Sequence, residues 1–138
     1  MGTIQLLLIV VGVVVVGISV AVGTSIFGSN HEEANKDAIT QDILRMVSAA
    51  EGFYRKPRML GGGGRSFDRI TLEDCGAESD GKGKQAENIN GTYIIAEAGD
   101  DVFSVSGASI NNPEQVVTVS IDMSVVKEKR LTITYQNW

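Results

Sequence analysis

The chain has 138 residues and a formal net charge of −5, and no ionisable side chain occurs before His31. This length allows one folded domain besides an N-terminal tail, and the acidic balance argues against a nucleic-acid scaffold. The one cysteine, Cys75, excludes an internal disulfide and lies far in sequence from the one histidine, His31. Because no nucleophile with an accompanying base can be assembled, we predict no enzyme activity, no metal site and no cofactor.

The first element in chain order is an apolar stretch from Ile4 to Val22, in which Gln5 and Ser19 are the only polar side chains. As a helix rising about 1.5 Å per residue, it would span about 28 Å, close to the thickness of a bilayer core. A secretory signal peptide is disfavoured because no Lys or Arg precedes the apolar run. The rest of the chain is too small to enclose such a rod, so its partner is lipid or copies of itself.

Four glycines recur along this rod, at Gly12, Gly17, Gly23 and Gly28. Small residues let apolar helices approach closely, which favours packing against other copies, although glycine is also simply common in membrane helices. Each glycine costs about 1 kcal/mol of helix stability relative to alanine. We therefore expect that the helix can unwind between Gly17 and Gly28.

The pattern of Met1, Thr3, Ile4 and Gln5, followed by a long apolar run and an amphipathic helix, resembles the N-terminal region of type IV pilins and pseudopilins. In that family, a prepilin peptidase removes a short basic leader and the new N-terminal amine is methylated. The resemblance implies that the numbering begins after cleavage, that Met1 is the methylated residue, and that Met1 and Gln5 take part in assembly.

Two positions depart from the family pattern. Most members carry Glu where this chain has Gln5, and a helix-interrupting Pro where it has Val22. In the family, the carboxylate is held to pair with the N-terminal amine of a neighbouring subunit. Gln5 can accept a hydrogen bond from that amine but cannot neutralise its charge. Any unwinding of the helix must rest on the glycines alone.

A second helix is predicted from residue 30 to residue 56. Ser29 and Asn30 stand three residues before Glu32 and Glu33, which is typical of a capped helix start. Apolar residues then recur at the spacing of one helical face, and Pro57 with the run Gly61 to Gly64 predicts the helix end. The glycine run lacks the spacing of a phosphate-binding loop, so we interpret it as a tight turn packed against the helix.

Residues 57–90 are predicted to form a polar connecting loop, with Ile70 to Leu72 as a short strand. Its acidic residues lack the spacing of a calcium-binding loop, which favours a solvated surface; they are Glu73, Asp74, Glu78 and Asp80. Asn90 begins a formal glycosylation sequon. The residues after it alternate between apolar and polar positions and are rich in β-branched residues, which predicts four strands between residues 91 and 136.

These patterns predict an α+β fold, in which a long N-terminal helix packs on a four-stranded antiparallel sheet, and the resemblance implies a type IV pilin-like arrangement. We expect a transmembrane or filament-core helix over residues 1–28. The globular head would cover residues 29–138, with its helix at 30–56, its loop at 57–90 and its sheet at 91–138.

The expected function is that of a structural subunit of a type IV pilus, which polymerises through its apolar helix into an extracellular filament. Its role in adhesion, motility or DNA uptake stays open, and no nucleic-acid binding can be derived. The implied partners are further copies, the membrane, prepilin peptidase and the pilus assembly machinery, with the inner membrane occupied before the cell surface. The alternatives are a pseudopilin of a type II secretion system and a monomeric membrane-anchored binding module.

Overall fold

The structure, a computed structural model, describes residues 2–79, 81 and 83–138. One long helix, α1, is followed by an antiparallel sheet and by two short 3₁₀ turns at Arg58–Leu60 and Lys127–Lys129. The bounds are α1 Gly2–Arg55, β1 Gln85–Glu87, β2 Gly91–Ala98, β3 Val102–Ser109, β4 Val116–Asp122 and β5 Leu131–Gln136. This confirms the α+β class.

The chain divides into two compact units, Met1–Ala34 and Asn35–Trp138, and we call the second unit the head. The boundary predicted after residue 28 marks the change from an apolar to a polar sequence. It does not coincide with the boundary between the two compact units. The predicted boundary therefore stays a prediction about the role of the segment.

Helix α1 is continuous through the glycines, so the expected unwinding between Gly17 and Gly28 is wrong. The hydroxyls in this region satisfy themselves on the helix: Ser19 Oγ donates to the Val15 carbonyl at 2.8 Å, and Thr24 Oγ1 donates to the Ala21 carbonyl at 3.0 Å. Without a proline, every backbone N–H can stay in the helical ladder, and the cost of glycine alone does not open it.

The predicted helix start at Ser29 and Asn30 is also wrong, since α1 does not restart there. Ser29 Oγ donates to the Ile26 carbonyl at 3.1 Å and therefore caps no new N-terminus. A capping signature marks a helix start only where the preceding residue leaves the helix. Here the upstream residues keep helical geometry, so the same hydroxyl bonds backwards.

The part of α1 that belongs to the head buries one apolar stripe, as the spacing predicted. Its fully covered residues recur at three- and four-residue intervals and are Ile39, Ile43, Met46, Val47 and Ala50. They face residues from the sheet and from the connecting loop, including Phe67, Leu72, Tyr93, Phe103, Val105, Val117, Val119 and Ile121. This shared stripe is the core of the head.

The sheet has five strands rather than the predicted four, in the order β1-β2-β3-β4-β5 with every neighbouring pair antiparallel. The missed strand, β1, is three residues long and lies within the predicted loop. It pairs with Thr92–Ile94 of β2, and only Ala86 within it is buried. The expected strand at Ile70–Leu72 is absent, because Ile70 and Leu72 enter the core from turns.

A glycine in the middle of the sheet lets the helix lie close to it. A Cβ atom on Gly107 of β3 would stand 2.7 Å from Ile39 Cγ2 and 2.9 Å from Ile43 Cδ1. Both distances are below the contact limit of carbon atoms, which prefer a separation of about 3.5 to 4.0 Å. The space that a side chain at Gly107 would occupy is therefore filled by the apolar stripe of α1.

The glycine run after α1 caps the helix, as the tight-turn interpretation predicted. The N–H groups of Gly63, Gly64 and Arg65 donate to the carbonyls of Phe53, Lys56 and Tyr54 at 2.8, 2.9 and 2.8 Å. These are carbonyls that a helix end leaves without partners. The loop is thus part of the helix terminus and not a flexible tether.

We predict that Gly63→Ala destabilises the head by about 2 kcal/mol or more, in the range of overpacked sites. A Cβ atom at this position would stand 2.0 Å from the Ser66 carbonyl oxygen and 2.9 Å from the Phe53 ring. Gly52→Ala is the matched control, since a Cβ on this exposed helical glycine meets nothing within 4 Å. Urea unfolding of the full chain in detergent would measure both, and equal stability of the two variants would contradict the prediction.

Candidate functional site

The first candidate site is the apolar segment of α1, which we define as residues 4–22. None of its most apolar 18-residue window is buried by the chain, and Ile4 and Val22 are 67 % and 52 % exposed. Large apolar side chains of soluble monomers do not stay uncovered over such a length. Burial of this segment therefore requires a partner outside its own chain.

By its length and composition, this helix is able to cross a membrane. A rod that is apolar on all sides matches the hydrocarbon interior of a bilayer, where every backbone group must be satisfied within the segment. The continuous helical ladder meets that requirement. The segment is thus suited to act as a membrane anchor, and it is equally suited to pack with other apolar helices.

Both polar residues of the apolar segment share one helical face with two of the glycines. At about 100° per residue, Gln5, Gly12, Ser19 and Gly23 lie within about 40° of one another. The Ser19 hydroxyl is satisfied by its own helix, whereas the Gln5 side chain is exposed. This face therefore combines a shallow surface with one amide that is free to hydrogen bond to a partner helix.

The remaining two predicted glycines mark a second face. Gly17, Ala21, Thr24 and Gly28 lie within about 60° of one another and about 150° from the first face. The spacings from Gly17 to Ala21 and from Thr24 to Gly28 are both four residues, which is the small-xxx-small spacing of closely packed membrane helices. The helix thus has two shallow faces on nearly opposite sides.

Among the described residues, no contact needs these glycines to be small. A Cβ atom on Gly12, Gly17, Gly23 or Gly28 would meet nothing within 4 Å, and none of the four has positive φ. Their small size can therefore matter only to a neighbouring molecule. The other predicted assembly residue, Met1, lies outside the described residues.

In the head, a cluster of polar side chains gathers around Asp42 of α1. Asp42 Oδ2 accepts hydrogen bonds from Asn88 Nδ2 at 2.9 Å, Asn90 Nδ2 at 2.8 Å and the Tyr93 hydroxyl at 2.7 Å. Partial burial raises the pKa of the Asp42 carboxyl, but these hydrogen bonds and the Arg45 charge outweigh it and leave the pKa below its ordinary value. The cluster ties the helix to the turn between β1 and β2.

The predicted glycosylation residue, Asn90, belongs to this cluster and lies in a different compact unit from Gln5 and the glycines. Its amide nitrogen, the atom that a glycan would modify, donates to Asp42. Modification after folding would compete with that hydrogen bond, and glycosylation of Asn90 stays a prediction.

Asp42, Asn88 and Tyr93 were not predicted as a group from the sequence. On the helix, Asp42 falls on the polar side of the pattern, which is typical of a solvated face. Its partners lie 46 and 51 positions further along the chain. No spacing rule joins residues so far apart until the helix and the sheet are docked.

Cys75 lies in the core, and burial together with the nearby Asp74 charge raises the pKa of its thiol to about 12. A thiol with such a pKa carries almost no thiolate at neutral pH, so Cys75 is a packing residue. Within residues 2–79, 81 and 83–138, no group of three or more His, Cys, Asp or Glu side chains converges on one point. Asp80 of the predicted acidic loop lies outside the described residues.

Comparison with family models, curated proteins and solved structures finds no match to this chain.

We predict that Asp42→Asn lowers the free energy of unfolding by about 1 to 2 kcal/mol at pH 7. The substitution replaces hydrogen bonds to a charged carboxylate by weaker ones to a neutral amide, at a partly exposed site. The folded pKa is lower than the unfolded one, so this contribution is complete above the ordinary Asp pKa and is lost as the pH falls through the folded value. The difference between variant and wild type should therefore shrink in acid.

Urea unfolding at pH 7 and at about pH 3 would measure this difference. Asp37→Asn is the matched control. Asp37 is exposed on the same helix, and its substitution removes the same charge. A loss of stability for Asp42→Asn that is unchanged between the two pH values would contradict the role of its carboxylate.

Proposed function

We propose that this chain is a structural subunit of a type IV pilus-like filament. The observation that carries the proposal is the uncovered apolar segment at residues 4–22, with shallow faces on two nearly opposite sides. A monomeric lipid anchor needs apolarity but has no use for two shallow faces. A helix that is surrounded by copies of itself needs both.

In this proposal, the segment first lies in the inner membrane and is then withdrawn into the core of an extracellular filament. Burying about 20 large apolar side chains, at about 1.5 to 3 kcal/mol each, is worth tens of kcal/mol per subunit as an upper bound. Lost freedom on association reduces that figure. The remainder is still enough to hold a non-covalent polymer together under load.

Gln5 sets the polar chemistry of the filament core in this proposal. Its exposed amide lies on the same helical face as Gly12, so a neighbouring helix can approach it closely. The amide oxygen accepts a hydrogen bond from an N-terminal amine but leaves the positive charge uncompensated. Either another acidic group then compensates the charge of the amine, or the amine is deprotonated and carries no charge.

Electron microscopy of material sheared from cells that produce the chain, together with the intact mass of the purified subunit, tests the proposal. We expect long helical filaments and a subunit mass that begins at an N-methylated Met1. Membrane-bound monomer with an unmodified or formylated initiator and no filaments would overturn it and leave the anchored binding module. The same intact mass reports on a glycan at Asn90.

We further predict that Gly12→Leu and Gly17→Leu each abolish filaments while leaving membrane insertion intact. Leucine raises both apolarity and helix propensity, so a lipid anchor would tolerate either change, whereas close helix packing would not. Val11→Leu is the control for adding bulk within the same segment, since at about 100° per residue it lies about 80° from the nearest residue of either shallow face. Immunoblots of membrane and sheared fractions would measure the distribution, and wild-type amounts of filament from both glycine variants would contradict the packing role.

A further inference from the structure

The 3₁₀ turn after α1 presents two large apolar side chains to solvent. Met59 is 98 % exposed and Leu60 is 67 % exposed, although the turn that carries them is closed by backbone hydrogen bonds. Gly61 N–H donates to the Arg58 carbonyl at 3.1 Å, and Gly62 N–H donates to the Pro57 carbonyl at 3.1 Å. Arg58 Nε donates to the Gly63 carbonyl at 3.1 Å. We call Met59 and Leu60 the apolar knob. Its backbone is held by these hydrogen bonds, which lowers the cost of ordering it on binding.

The apolar knob lies within a basic stretch of a chain that is acidic overall. Residues 55–69 contain five basic side chains and one acidic side chain, Asp68. Of the five, Arg55 lies 3.6 Å from Glu51 in the one ion pair among the described residues. The others, exposed to solvent, are Lys56, Arg58, Arg65 and Arg69. A partner for the knob should therefore carry an apolar recess with an acidic rim.

The head itself contains such a recess. A pocket of about 240 Å³ lies beside the middle of α1, with Met46 and Ala86 among its apolar lining. Its described charged residues are Asp42, Glu78 and Glu87 against the single basic residue Arg45. In proteins, a cavity of about 150 Å³ admits benzene, so this volume is ample for the four heavy atoms of a methionine side chain.

We propose that Met59 of one copy inserts into this pocket of a second copy, with the basic residues around the knob facing the acidic residues around the pocket. This inference rests on the proposed filament function and names the contact between heads. Because knob and pocket are different surfaces of the same head, the contact is heterologous and leaves one free knob and one free pocket in any open chain of subunits. Such contacts propagate into open helical polymers when the rotation does not close a ring.

The positions of the two surfaces also define a stagger. The pocket contacts α1 at Asp42, Arg45 and Met46, and the knob follows the end of the helix at Arg55. At 1.5 Å per residue, the end of α1, which the knob follows, lies about 15 Å further along the helix than the pocket. Two parallel copies joined by this contact are therefore displaced along their helices by about that distance.

Cross-linking between two differently tagged copies in the same cells tests the contact. One copy carries Met59→Cys, the other carries Glu87→Cys, and both carry Cys75→Ala so that no native thiol remains. Glu87 is exposed beside the pocket. We expect a disulfide-linked species with both tags in the filament fraction. A copy with Val126→Cys in place of Met59→Cys is the control, since Val126 is also exposed but lies in a different loop.

Met59→Asp provides the second readout. It places a negative charge opposite the acidic pocket, and we expect at least about a tenfold loss of filaments at unchanged membrane level, equivalent to about 1.4 kcal/mol. Val126→Asp should leave filaments unchanged. Because Met59 is almost wholly exposed, both variants should unfold at the wild-type urea midpoint.

The outcomes separate the two proposals. If the wild-type chain forms no filaments, the proposed function fails. If filaments form but the mixed-tag disulfide is absent and Met59→Asp assembles normally, the head contact alone is overturned.

Discussion

The structure depends on one constraint, which is that the described part of the chain buries none of the most apolar stretch of α1. An apolar rod about as long as a bilayer is thick cannot stay in water, because the free energy of exposing it exceeds the stability of an ordinary domain. Each property that we assign to the protein follows from how this segment is covered. Lipid covers it without any requirement on its shape, whereas neighbouring helices require the shallow faces at Gly12 and Gly17.

The head shows how the same helix is used differently once it reaches residue 35. From there, α1 is apolar on one side only, and that side is buried against the sheet. Gly107 has no side chain that would keep the helix away from the sheet. The glycine run after Pro57 supplies N–H groups that cap the C-terminal end of the helix. Gly63 and Gly107 of the head are therefore required by contacts that the structure contains. The glycines of the apolar segment meet no such contact among the described residues, which is why we infer an external neighbour.

Much of the fold could be predicted because its signals are periodic. The buried stripe from Ile39 to Ala50 and the strands after residue 91 repeat at the spacing of a helix face and of alternating strand residues. Strand β1 escaped prediction because three residues with one apolar member, Ala86, are too few to show a period, and they form a strand only by pairing with β2. The false helix start at Ser29 has the opposite cause, since a local capping signature yields to a helix that is already propagating.

The candidate sites also differ in how far they could be predicted from the sequence. The apolar segment was visible from composition alone, together with Gln5 and the glycines. The Asp42 cluster and the apolar knob were not visible from the sequence. The Asp42 cluster depends on residues far apart in the chain, and the apolar knob depends on which apolar side chains the fold leaves exposed. Local spacing encodes neither property.

The most direct test of the central claim is photo-cross-linking from within the apolar segment. A photoreactive amino acid placed in turn at each position from Leu8 to Ile18 would report what covers the helix in intact cells. We predict a ladder of covalently joined subunits, with the greatest yield beside Gly12 and Gly17, where neighbouring helices approach most closely. Adducts to lipid alone, at every position and without joined subunits, would contradict the account.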